Sequence, residues 1–159
     1  MPATSGYGHG YATIGNMTPW LAAALLIGLV VAAPLRPGET QRSVWDGVYS
    51  GEQARRGQEL YTKQCVGCHG SALQGTHAAP PLAGAGFLSA WSGLTVGDLF
   101  ERVRASMPPD KPSSLSREAG ARIMAYILQA NDFPAGKTDL PQSTDALQRI
   151  RLEAIKPNE

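Results

Sequence analysis

The sequence predicts an all-α domain of three main helices, and three observations predict it. Apolar residues recur at helical spacing in three capped segments, and no stretch sustains the alternation of a strand. The long stretch between the first two segments, Gly70 to Leu94, is so rich in glycine, alanine, proline and serine that it reads as loop wrapped around a ligand. With 159 residues there is room for one compact domain and a short appendage. A net charge of +1 supplies neither a basic footprint for nucleic acid nor an acidic tail.

Ahead of the domain, residues 1–35 contain no Asp, Glu, Lys or Arg, and Trp20 to Ala33 is continuously apolar or glycine. This is a hydrophobic export or anchor helix. The uninterrupted run of 14 residues suits a signal-peptide core, whereas Met17 to Leu35, at 19, is just long enough to span a bilayer. Val30, Val31 and Ala32 ahead of Ala33 offer small residues for cleavage, yet no positive charge precedes the run, and Arg36 and Arg42 come after it. Length leaves cleavage and anchoring both open. A buried core helix is disfavoured because Pro34, Pro37 and Gly38 uncouple the run from the domain.

Residues 36–48 are expected to be linker, with Trp45 and Tyr49 packing on the domain edge. The domain proper is placed at 49–134. Its first helix is capped by the Ser50 hydroxyl, with Gln53 reaching back, and runs to about Gln64. Ala54, Gly57, Leu60 and Tyr61 form its apolar face; Glu52, Arg55, Arg56, Glu59 and Lys63 form a solvated one. A second helix starts at Thr95, with Asp98 completing a capping box and Val96, Leu99, Phe100 and Val103 inward. It stops before Pro108, which forces Met107 into an extended course. The third helix, from Arg117 to Ala130, is capped by Ser116 and stopped by Asn131 and Pro134, with Ile123, Tyr126, Ile127 and Ala130 as its buried stripe. The remainder, 135–159, is an extension in which Asp145 to Ala154 suggests a short amphipathic helix. Packing back on the domain is the simpler use of it, and binding a partner the other.

The first helix ends at Cys65-Val66-Gly67-Cys68-His69, the attachment pattern of a c-type haem. Thiols three positions apart share one helical turn and add to the two vinyl groups of a porphyrin, while the adjacent imidazole meets the iron from one face. A thioredoxin-like redox pair belongs beside a βαβ pattern, and the flanks here are helical. A structural zinc site needs four ligands, and the chain has no third cysteine and only His9 and His77 besides His69. The 18 glycines and 12 prolines suit a fold whose loops wrap a large apolar cofactor.

With these residues in place, the chain from Trp45 to Pro134 resembles a class I cytochrome c, an all-α domain around one covalent haem. Gly57 and Tyr61 stand where that family crosses its first and last helices, and Ile123-Met124-Ala125-Tyr126 is similar to the pattern that packs on them. The resemblance implies that the Pro80 carbonyl orients His69 through Nδ1, that Leu82 lines the haem, and that Met107 is the sixth ligand. Met124, inside the third helix, reads as core, and His77 is too close in sequence to His69 to serve the opposite face. Trp91 resembles the tryptophan that hydrogen-bonds a haem propionate, and a buried loop aromatic would look the same. The stretches Val44 to Tyr49 and Ser106 to Asp110 are similar to stand-alone bacterial cytochromes c and to cytochrome domains accompanying quinoprotein dehydrogenases.

The implied function is single-electron transfer without catalysis, between a periplasmic dehydrogenase, a quinoprotein among the candidates, and a terminal acceptor or oxidase. Haem c is attached outside the bacterial cytoplasm. The expected placement is therefore periplasmic, either soluble after signal cleavage or tethered to the inner membrane through residues 18–35. Two alternatives stand beside it: an open-site haem protein acting as gas sensor or peroxidase, and a cytochrome subunit bound permanently to a dehydrogenase or oxidase.

Overall fold

The computed structural model of the protein describes residues 40–157. The export or anchor segment, 1–35, lies outside them. Among the described residues no helix is long and apolar enough to cross a membrane.

Six helices and two short strands make up the described chain: β1 (Arg42–Ser43), a 3₁₀ turn (Val44–Asp46), α1 (Gly51–Gln64), α2 (Val66–His69), α3 (Ala85–Trp91), α4 (Val96–Ser106), α5 (Arg117–Ala130), α6 (Thr144–Leu147) and β2 (Ile150–Arg151). Four of the helix starts are set by side-chain caps, that of α6 by Ser143, which accepts from the Ala146 N–H. Ser50 accepts from the Gln53 N–H, Thr95 and Asp98 form a reciprocal capping box, and Ser116 accepts from the Ala119 N–H. Helix α4 gives way at Met107, whose backbone is extended (φ −119°, ψ 147°) as the next residue, a proline, requires.

The frame is the crossing of α1 and α5. Gly57 makes it close: a Cβ there would overlap the carbonyl oxygen of Arg122 and stand 3.0 Å from the Cβ of Tyr126. The rings of Tyr61 and Tyr126 meet one turn on, with centroids 5.3 Å apart. Helix α5 is buried on most of its circumference, since Ala121, Ile123, Met124, Ala125, Ile127 and Leu128 are all within 2% of full burial. Leu99 and Phe100 of α4 close the same core, each worth about 1.5–3 kcal/mol of burial.

Four expectations need correction. The stretch 42–48 packs into the domain instead of linking to it: Val44 and Val48 are buried, and the Trp45 indole N–H donates to the Glu153 carbonyl at 2.9 Å. The glycine-rich stretch holds a helix, α3, because Phe87, Leu88 and Trp91 share a face and Phe87 is fully buried. Gln53 does not complete a capping box. Its side chain is buried and joins both backbone groups of Leu140, Nε2 donating to the carbonyl at 3.0 Å and Oε1 accepting from the N–H at 2.7 Å.

The last difference lies in the extension. The expected helix over 145–154 is only the single turn α6, after which Ile150 and Leu152 alternate inward and β2 pairs in parallel with β1, Arg42 opposite Ile150. It packs back on the domain through Leu140, Leu147, Ile150 and Leu152.

Candidate haem site

Helix α1 delivers the attachment pentapeptide into α2. The Cys65 N–H still donates to the Tyr61 carbonyl (2.8 Å), and the His69 N–H donates to the Cys65 carbonyl (2.9 Å), so both thiols and the imidazole ride on one continuous helical path. The Tyr61 hydroxyl donates to the Gly70 carbonyl at 2.7 Å and fixes the turn where the chain leaves.

His69 is buried, 7% exposed. Its Nδ1 lies 2.9 Å from the Pro80 carbonyl oxygen, and since a carbonyl only accepts, Nδ1 carries the proton and donates it. The lone pair of the neutral imidazole therefore sits on Nε2, the tautomer a metal ligand needs.

The loop supplying that carbonyl is held from several sides. Gly75 (φ +75°) lets the chain pass against it, for a Cβ would stand 2.6 Å from the Pro81 nitrogen and 2.8 Å from the Pro80 carbonyl carbon. The Gly75 N–H donates to the His69 carbonyl (2.9 Å), the Thr76 hydroxyl to the Cys68 carbonyl (2.6 Å), and the Leu82 N–H to the Leu73 carbonyl (2.8 Å).

All seven residues singled out from the sequence, Cys65, Cys68, His69, Pro80, Leu82, Trp91 and Met107, line one cavity of about 440 Å³. Its walls are mainly apolar: Leu99 and Val103 from α4, Leu115, and Ile123 and Ile127 from α5. Trp91 borders it while stacking on Phe87, with centroids 6.5 Å apart and planes at 30°. Met124 is fully buried away from the cavity, and His77 does not line it but lies exposed on an adjoining open groove over residues 74–81.

Arg102, Leu115 and Asn131 also belong to the site or its support, and sequence reasoning missed them. Arg102 is three residues past Leu99, a spacing that could have flagged it. Leu115 lies in irregular chain and carried no signal. Asn131 announced itself only as a helix stop.

The donor set fits a haem c. Two thiols on one helical turn, an imidazole in the ligating tautomer and a thioether converge on an apolar cleft, and among the described residues no cluster of His, Cys, Asp and Glu suits a bare metal ion. The thiols do not resemble a redox pair, in which the attacking sulfur is acidic. Burial, with Cys68 beside it, pushes the Cys65 thiol up to about 11.

Residues 52–127 match the family model described as "Cytochrome C oxidase, cbb3-type, subunit III". The chain carries a c-type cytochrome domain with one covalent haem c at Cys65 and Cys68, and its chemistry is electron transfer. Among solved structures, the sulfane dehydrogenase SoxCD from Paracoccus pantotrophus is similar at 21% identity and a TM-score of 0.45, over 79% of this chain and 68% of that one. That likeness is too loose to carry a functional conclusion. No curated protein matches the chain.

Proposed function

We propose that the protein is a class I cytochrome c whose iron takes His69 and Met107 as axial ligands, and that it shuttles single electrons between a dehydrogenase and a terminal acceptor or oxidase. The observation that carries this reading is Met107 itself: it lines the same cavity as Cys65, Cys68 and His69, on an extended segment stiffened by Pro108 and Pro109. Haem c, when bound, supplies reversible one-electron chemistry at iron, and a neutral thioether ligand favours the reduced form.

Each residue then has a task. Cys65 and Cys68 hold the cofactor covalently, Pro80 orients His69, and Leu82, Leu99, Val103, Ile123 and Ile127 keep water from the cleft. Trp91 closes one border. If His69 and Met107 both held the iron, no position would be left for a substrate, and the protein would serve as a carrier of electrons.

The uncharged apolar leader and the extracytoplasmic attachment of haem c support a periplasmic placement, soluble or tethered through residues 18–35. The oxidase named by the matching family model supports a second reading, a cytochrome subunit held permanently in such a complex. Co-purification with a stoichiometric partner from the native membrane separates it from a free shuttle.

The test of the ligand set is the visible spectrum of the ferric protein beside Met107→Ala. A far-red sulfur-to-iron band that disappears in the variant, together with carbon monoxide binding by the reduced variant alone, is the expected result. A missing band and ready carbon monoxide binding in the wild type would instead favour the sensor or peroxidase reading.

A further inference from the structure

Asn131, the residue that ends α5, is buried to 8% exposure, and its side chain makes three hydrogen bonds. Nδ2 donates to the Ile127 carbonyl (2.9 Å) and to the Leu82 carbonyl (3.0 Å), while Oδ1 accepts from the Gly84 N–H (3.0 Å). The partners fix the orientation of the amide, because only the nitrogen can face two carbonyls and only the oxygen can face an N–H. A side chain that merely finished the helix would need the Ile127 bond alone. The other two cross to the loop carrying Pro80, and they grip it on both sides of Ala83. From Leu82 the loop reaches the Pro80 carbonyl in two residues, and that carbonyl holds His69 Nδ1 at 2.9 Å.

We propose that Asn131 is a positioning residue for the proximal imidazole: by anchoring the loop 82–84 to α5, it sets how firmly the Pro80 carbonyl holds the His69 Nδ1 proton, and so how strongly the imidazole donates to iron. A strong Nδ1–H···O bond raises imidazole basicity and favours the oxidised centre. Slackening it shifts the reduction potential upward. The inference rests on His69 being the iron ligand.

The experiment compares the haem-loaded wild type with Asn131→Ala, Asn131→Ser and the control Leu128→Ala. Serine keeps a hydroxyl near the helix end and loses the reach to the loop, so it serves where the alanine variant fails to fold. Leu128 is buried on the same helix and does not line the haem cavity, so its truncation lowers stability while removing none of the three Asn131 hydrogen bonds. Two quantities are read: solvent exchange of the His69 Nδ1 proton by proton NMR, and the midpoint potential. In the Asn131 variants exchange quickens at least tenfold and the potential moves positive, while Leu128→Ala changes neither. Exchange and potential equal to wild type in the Asn131 variants, or equal shifts in Leu128→Ala, overturn the proposal. Absence of hyperfine-shifted histidine ring signals in the ferric wild type overturns the ligand assignment itself, a different failure.

Discussion

Gly57 and Arg122 touch backbone to backbone: the α-carbon of the first lies so near the carbonyl of the second that no side chain fits between them. That contact sets the spacing of α1 and α5, and with it the mouth of the haem cleft, because α1 leads into Cys65 and α5 carries Ile123 and Ile127.

Gly57→Ala is therefore expected to destabilise the haem-loaded protein by about 3 kcal/mol, the upper part of the range for overpacking, since the obstacle is backbone that cannot rotate away. Urea unfolding followed by far-UV circular dichroism measures it. A loss below about 0.5 kcal/mol would show that the helices separate freely, contrary to a crossing limited by backbone contact.

Gln53→Leu strips both backbone groups of Leu140 of their partners. The expected cost is about 2–3 kcal/mol, and it should fall locally, freeing the extension after Phe133. Limited proteolysis tests this: cleavage in 135–157 appears in the variant while the part carrying the haem stays intact. Cleavage spread evenly along the chain contradicts it.

Asp98 carries an acid dependence. Hydrogen bonds from the Thr95 side chain, the Thr95 N–H and Gln148 hold its carboxyl below the usual aspartate range. A depressed folded pKa means that the contribution is complete above the unfolded value near 4 and is lost as pH falls through the folded one. Asp98→Asn should thus cost about 0.5–1 kcal/mol at pH 7, a modest figure because the group meets solvent, and the gap to wild type should close below pH 4. Thermal unfolding from pH 7 to pH 2.5 decides it; a gap that widens in acid refutes the assignment.

Tyr61 gives the opposite dependence. Burial, with lesser contributions from Cys65 and Tyr126, raises its hydroxyl to about 12. A raised pKa favours the folded state below the unfolded value near 10, and that advantage is lost as pH climbs from about 10 to 12. Tyr61→Phe, which leaves the Gly70 carbonyl without its donor, is expected to cost about 1 kcal/mol at neutral pH. The difference from wild type should shrink in alkali, and a difference constant to pH 11 would dissociate it from the hydroxyl.

How much of this was written locally varies along the chain. Helices α4 and α5 are bounded by residues whose effects act within one turn, Thr95 with Asp98, Ser116, and the proline after Met107, so their limits are legible without any tertiary information. Cys65, Cys68 and His69 are legible too, because the attachment chemistry dictates their spacing, whereas Pro80, Leu82, Trp91 and Met107 are legible only through the resemblance to class I cytochromes c. What escaped depends on distant partners. β2 forms because β1, 108 residues earlier, and the stretch Gly93 to Thr95 offer it backbone partners, and Gln53 serves Leu140 across 87 residues instead of its own helix terminus. Helix α3 was hidden by composition: glycine and alanine dilute the spacing of Phe87, Leu88 and Trp91, and packing around the cleft decides where propensity is silent.

The pairing of β1 with β2 also fixes how the domain bears mechanical load. The strands run in parallel, and the chain leaves β1 backward from Arg42 and β2 forward from Arg151. Pulling residues 40 and 157 apart therefore shears the ladder along its length, loading its bonds together with the Trp45–Glu153 contact instead of peeling them one at a time. A tether at one end and a partner at the other would strain this clasp before the force reached α1, α5 or the cleft between them.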